Sequence, residues 1–523
     1  MKPAAAVSSG GLRRGVHLTA ARAWCLGLAV LLLPLVLFER PYLQDFPNHL
    51  SRVEIALAIA DPAIAANYEL LPLRPGNAAF DAVVRLLAQA MPPVEAARLF
   101  LIGALVLIAT GALALRRAFG LPVDLVALAG LPFVYSASFS YGFLPYLMGM
   151  GIALHAMALW LRAGRWPPLA RGALAPVAML LGATHFYALG IFAVFAAAET
   201  WQRLGGAEAW RTRRFWLCGL ADGLVFVPAV LLLVLFGEPG QLAGTWAVEW
   251  TLEKPIQLFT TALGFGPWWM SLAALAAWAA ILKPAVTPPA ARWPAVRIDD
   301  RAAAASAAMF ALFVLLPHRL GDLYSVDWRI LNCAVLVLLS GLRIETLETR
   351  LADRSALRLL ALMGAMALAL SWLWAPAAAA RRDVLAITEA VPPGSRLFWS
   401  VPDRDTAGWV SSAGYGLYHA ASHAVLPRRI LVSTTFALPG QHPLRFRDPS
   451  LRDLGNLSML EARDLVRDLA RRGSIRLAEL VARFDYVLLY GAPSPADAAF
   501  LPMARLRLVS ARGNLRLYAV AGR

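Results

Sequence analysis

Two neighbouring stretches decide the fold: AWCLGLAVLLLPLVLF, residues 23–38, and QDFPNHLSR, residues 44–52. The first carries no charge and reads as a membrane span. The second places Asp45, Pro47, His49 and Arg52 at the surface that the span has just reached. Pro47 suits the first turn of a helix, where its missing N–H costs nothing. In such a helix His49 and Arg52 share a face at i, i+3. Asp45 then stands just before the helix, at the positive end of its dipole, which favours the ionised carboxylate.

The pattern of the first stretch recurs along the chain. Of 523 residues, 59% are hydrophobic, and the mean hydropathy is +0.59; a soluble domain sits near 45–50% apolar. Apolar blocks fall at 24–38, 98–115, 121–137, 143–161, 172–184, 187–200, 214–236, 267–282, 302–317, 330–342 and 357–375. They predict an all-α polytopic membrane bundle of about 11 transmembrane helices. Arg13, Arg14 and Arg22 precede the first block without a small-residue cleavage pattern after it, so it is expected to remain as a span.

The net charge of +16 does not mark a nucleic-acid partner. The basic residues are spread through short loops and no basic stripe with interleaved aromatics occurs. They serve better as a topology signal. With the N-terminus inside, the inner segments hold Arg116 and Arg117, RAGRWPPLAR, WRTRR, Lys283 to Arg301 and Arg343 to Arg358. Splitting 172–200 into a hairpin keeps both flanking Arg-rich loops inside. Eleven spans then leave the C-terminus outside. Cys25, Cys218 and Cys333 lie in or beside apolar blocks, with neither disulfide nor metal-ligand spacing.

From about residue 380 the charges rise and the long apolar runs stop. RLFWSV, RRILVSTTF, FDYVLLYG and LRLYAVA read as strands, and SMLEARDLVRDLARR as an amphipathic helix. The expected organisation is a cytoplasmic tail at 1–23, a membrane domain at 24–376 with a first extracytoplasmic loop at 39–97, and a small extracytoplasmic α/β domain at 377–523.

Candidate chemistry collects on the outer face. Asp45 heads it, with His49 and Arg52 as candidate substrate ligands; the alternative makes Asp45 a helix cap and Arg52 a lipid-headgroup contact. His185 sits at the tip of the 172–200 hairpin, in GATHFYALG, as a substrate ligand or a core histidine. Tyr141 and Tyr146 are ligands or interfacial tyrosines. PHRLGDLYSVDWR, 317–329, crowds His318, Arg319, Asp322, Asp327 and Arg329 into one short loop. Arginine binds phosphate in a two-pronged way and stays charged, so Arg319 and Arg329 suit a lipid phosphate; the alternative is a set of mutually paired loop charges. Glu238, Glu249 and Glu253 belong to a solvated outer loop.

Transfer of a sugar from a polyprenyl-phosphate carrier needs such a set. A carboxylate takes the acceptor's proton, basic groups stabilise the departing phosphate, and an apolar groove holds the prenyl tail. The arrangement resembles the GT-C superfamily of integral membrane glycosyltransferases, of the bacterial protein mannosyltransferase and lipid A aminoarabinose transferase type. QDFPNHLSR matches, by position and character, the acidic motif of the family's first extracytoplasmic loop, and the architecture matches over about 1–376. The resemblance implies that Asp45 is the catalytic base, that the donor is a polyprenyl-phosphate-linked sugar, and that the acceptor is an envelope glycan, lipid or protein. It also implies inversion at the sugar and a place in the bacterial inner membrane, among its lipids. Many members carry two adjacent acids here; Phe46 follows Asp45 in this chain, which weakens the case for a divalent metal, Mg or Mn. A transporter reading fits less well, because neither internal repeats nor mid-depth polar residues are apparent. A non-catalytic assembly factor would place function in the C-terminal domain, and an O-antigen-type ligase would need a larger late loop.

Overall fold

The computed structural model of the protein describes residues 19–237, 248–249, 252, 254–286, 296–320, 323–344, 349–400, 418–437, 441–454, 477–491 and 501–521. Helices stand at each of the eleven expected positions, but not all as single spans. By length and composition four helices suffice to cross a membrane: Ala20–Leu37, Pro93–Ala118, Leu144–Ala163 and Asp353–Ala390. Arg213–Gly223 and Val227–Phe236 make a fifth if their 44° bend lies within one span. Part of the shortfall from eleven has a local cause. Ala175–Thr184 has 10 residues, about 15 Å, half the hydrocarbon thickness of ~30 Å. The third block is broken: Leu125–Gly130 gives way to a 3-10 turn at Leu131–Val134, and Ser136 then caps a new helix, Ala137–Tyr141, by accepting from the Phe139 N–H. Pro132 cannot supply the N–H that a continuous α-helix needs there.

The spans pack through small residues. A Cβ on Gly151 would stand 2.6 Å from the Leu107 Cβ, so glycine lets Pro93–Ala118 and Leu144–Ala163 approach closely. Large apolar side chains point outward on the long helices, among them Val36, Leu37, Val234, Leu368 and Trp372. Such a belt is costly against water and suited to lipid.

The last long helix, Thr349–Ile387, has 39 residues, about 58 Å. It overshoots a bilayer and runs unbroken through the boundary expected near 376, because the Ala-rich stretch around Pro376 is strongly helix-forming. It leads to a five-stranded sheet in the order Leu506–Arg512, Leu515–Val520, Tyr486–Tyr490, Arg396–Ser400, Leu431–Val432. The first three strands are antiparallel neighbours, and the last two pairings are parallel. The strands expected in RLFWSV, FDYVLLYG and LRLYAVA are present, whereas RRILVSTTF contributes only Leu431–Val432. The helix expected at 458–472 lies outside the described residues.

The C-terminal region is stitched to the first loop. Tyr68–Leu70 pairs antiparallel with Leu444–Phe446, setting Tyr68 opposite Phe446. The Tyr68 hydroxyl accepts from the Val432 N–H at 3.2 Å, and Asn67 Nδ2 donates to the Gly394 carbonyl at 3.0 Å. Buried apolar residues form one continuous cluster from Ala23 to Val520. The stretches SRVEIALAIA and FDAVVRLLAQ therefore bury Val53, Ile55, Phe80 and Val84 in protein.

Candidate active site

The helix that follows the first span is Phe46–Leu57, with Pro47 in its first turn and Asp45 at the N-cap position. The Asp45 side chain makes no capping hydrogen bond; the cap reading of this residue is therefore corrected. Its backbone is fixed from outside, with the Asp45 N–H donating to the Tyr141 carbonyl at 3.0 Å and the Gln44 N–H to the Ser140 carbonyl at 3.1 Å. Gly142 takes φ +76°, and a Cβ there would press on the Asp45 nitrogen at 3.2 Å, so a glycine is needed at this left-handed turn.

The Asp45 carboxylate is buried, 9% exposed. Its Oδ1 lies 3.6 Å from Nε2 of His419, from the C-terminal region. Burial pushes its pKa above the ordinary carboxylate value, opposed by His419 and by the positive charges of Arg329 and Arg52. A carboxyl raised toward neutrality is a stronger base when ionised.

His49 and Arg52 share a face, as the spacing predicts, but their partners are internal. Arg52 grips Asp81 with two prongs, Nε to Oδ1 at 2.9 Å and Nη2 to Oδ2 at 2.6 Å, and Nη2 also lies 3.0 Å from His49 Nδ1. Both members of the ion pair are buried. Arg52 is thus not a lipid-headgroup contact, and its fork is occupied by a carboxylate, not open to a phosphate. Since arginine only donates, Nδ1 of His49 accepts from Arg52. Burial first, and then the Arg52 charge, hold the His49 pKa well below the usual histidine value. The ring packs on Phe80 and Phe436 at 5.1 and 5.5 Å. His49 and Arg52 are therefore bound into the interior behind the helix that Asp45 heads.

Arg329 opens the helix Trp328–Ser340 and is half-buried. Its guanidinium lies 4.3 Å from the Phe143 ring centre and 5.0 Å from that of Tyr187. Its Nη1 is 3.4 Å from His185 Nε2, and the Tyr146 hydroxyl donates to its carbonyl. Among the described residues no carboxylate forms an ion pair with it. Aromatic faces hold the cation. His185 breaks the hairpin between Ala175–Thr184 and Phe186–Arg203 with extended backbone, φ −164°, which sets its ring beside Arg329. Tyr141 stacks edge-on against Trp328 at 5.2 Å and so ties Asp45's support to Arg329's helix.

The rest of the 317–329 loop is internally paired. Asp327 is fully buried, with Oδ1 3.1 Å from His318 Nδ1 and Oδ2 3.5 Å from Lys254 Nζ. Lys254 also donates to the Phe313 carbonyl at 2.6 Å, at the end of Asp300–Leu315. Asp327 and His318 thus secure the loop instead of facing a ligand. Arg319 is buried on the strand Arg319–Leu320, in register with Glu249 and Tyr324. Asp322, Glu238 and Glu253 lie outside the described residues.

Among the described residues, no three His, Cys, Asp or Glu side chains converge as metal ligands. The groups around Asp45 are imidazole and guanidinium, a poor set of donors for Mg or Mn. These residues do not fit such a metal.

Composition and local spacing could not reveal His419, Phe436 and Asp81. They reach the site through the pairing of the first loop with the C-terminal region and the packing of Ala79–Leu87 on Phe46–Leu57. The only local signal was the pair of histidines His419 and His423 in a chain with 8.

No family model and no curated protein matches this sequence. Among solved structures, the crystal structure of ArnT from Cupriavidus metallidurans bound to undecaprenyl phosphate superposes with a TM-score of 0.50 at 12% identity, over 95% of this chain and 99% of that one. The cryo-EM structure of the arabinofuranosyltransferase AftD from Mycobacteria superposes with a TM-score of 0.45 at 14% identity, over 96% of this chain. This chain spans 40% of AftD's length. The likeness to ArnT is a likeness of fold.

Proposed function

We propose that this protein is a membrane glycosyltransferase that moves a sugar from a polyprenyl-phosphate carrier to an acceptor hydroxyl on the extracytoplasmic face. One observation carries the reading: a buried carboxylate, Asp45, stands at a helix N-terminus that it does not cap, within the field of an arginine, Arg329, that has no carboxylate partner among the described residues. The fold likeness to a protein crystallised with undecaprenyl phosphate supports the class of carrier.

In this reading Asp45 accepts the proton of the acceptor hydroxyl as the oxygen attacks the anomeric carbon. The bond from that carbon to the phosphate oxygen breaks, and the electron pair leaves with the carrier phosphate. Arg329, steadied by His185, Tyr146 and Tyr187, receives the growing negative charge. Phosphate leaves readily, so no second carboxyl group is required as an acid. Attack opposite the leaving group inverts the anomeric centre. His49, Arg52 and Tyr141 hold Asp45 in place, and His318, Arg319 and Asp327 shape the loop that delivers Arg329. The acceptor is an envelope glycan, lipid or protein. The setting is the bacterial inner membrane, with the N-terminus inside and the C-terminal region outside. A reporter active only outside the cytoplasm, fused after Arg523, gives signal on this topology and none on the reverse.

The function is tested by comparing lipid and surface-glycan mass spectra of wild-type and deletion strains. Loss of a sugar-sized mass from one acceptor, with the carrier-linked sugar retained, is expected. Identical spectra would overturn the assignment.

A further inference from the structure

His419 is 1% exposed, and neither of its ring nitrogens has a hydrogen-bond partner among the described residues. Sealing an imidazole away with both nitrogens unmatched is costly. Its nearest polar neighbour is Asp45 Oδ1, 3.6 Å from Nε2. Its other neighbours are aromatic, with Tyr418 and Phe436 edge-on at 5.5 and 5.4 Å. The segment is anchored on both sides of the ring. Trp399 Nε1 donates to the Tyr418 carbonyl at 2.9 Å. Asn48, one turn from Asp45, accepts from the Ser422 hydroxyl and donates to the Thr434 carbonyl at 2.7 Å. Two segments far apart in sequence thus hold a carboxylate and an imidazole face to face.

We propose that His419 is a positioning residue: its Nε2–H donates to Asp45 Oδ1, aims Oδ2 at the acceptor hydroxyl, and keeps the carboxylate ionised. The proposal rests on the reading of Asp45 as the base. The 3.6 Å separation exceeds a hydrogen bond, and catalytic contacts of this kind tighten when substrate fills the site. The titratable and charged groups facing Asp45 are His419, Arg329 and Arg52; His442 lies beyond, near His49. A donor to Oδ1 favours the charged form. Its removal therefore raises the pH at which Asp45 titrates and moves the acid limb of the transfer reaction upward.

The test is an infrared pH titration of the full chain in lipid nanodiscs. The carboxylic-acid carbonyl band absent from Asp45→Asn belongs to Asp45. In His419→Ala its midpoint is expected to rise by about one pH unit, a tenfold change in proton affinity. His419→Gln, which keeps an N–H donor, reverses most of that rise. The acid limb of kcat follows, while KM for the carrier-linked sugar stays put. An unchanged midpoint in His419→Ala overturns the proposal. If the alanine variant does not assemble, His419→Gln is compared with His419→Phe, which fills the space without a donor; equal midpoints overturn it. An inactive Asp45→Asn beside an unmoved midpoint removes His419 alone. A fully active Asp45→Asn removes the base and the role of His419 with it.

Discussion

Opposite faces of one short helix carry two acids with different surroundings. Asp45 meets an imidazole and the field of two arginines. At Glu54, half a turn round the helix, burial raises the pKa from 4.5 to about 7 against the positive charges of Arg40 and Arg381. A carboxyl raised on folding binds more protons in the folded state between about pH 4.5 and 7, so folding is favoured at low pH and weakens as pH rises through that window. The full difference is on the order of 3 kcal/mol. Thermal unfolding in nanodiscs should show the wild type losing stability across this range and Glu54→Gln losing distinctly less. Equal slopes would place the titration elsewhere. The sequence made Asp45, His49 and Arg52 legible, because Pro47 marks a helix start and i, i+3 spacing is geometric. It could not say that Arg52 would meet Asp81, a pairing set by where the next helix packs.

At the scale of elements, that pairing joins Phe46–Leu57 to Ala79–Leu87. Both charges are buried, so removing either strands the other at a cost of about 3–5 kcal/mol. Arg52→Ala and Asp81→Asn should each lower the thermal midpoint sharply, and the double variant should lose less than the sum of the two. Additive losses would mean that the two side chains do not act on one another. The helical blocks were readable from apolar runs alone, since a lipid-facing segment has no other way to satisfy its backbone. The breaks within them were less so. Pro132 announced one, and Pro228, in the first turn of Val227–Phe236, stands at the 44° bend from Arg213–Gly223, but a proline in an apolar run does not say whether the span bends or ends there.

Across the whole molecule, the site is assembled from four distant parts of the chain: the first loop with Asp45, the turn at Tyr141–Gly142, the Trp328–Ser340 helix with Arg329, and the C-terminal segment with His419. The C-terminal region could be recognised from the sequence as a change of composition, but not as a wall of the site. The three-residue strand Tyr68–Leu70 that docks it is too short to leave a periodic signal. The account stands on Asp45 as the proton acceptor of a sugar transfer. The most direct measurement is the lipid and glycan mass spectrum of a deletion strain carrying Asp45→Asn at wild-type membrane abundance. The account predicts that the sugar-sized mass restored by the wild-type gene stays missing. Full restoration by Asp45→Asn would contradict it.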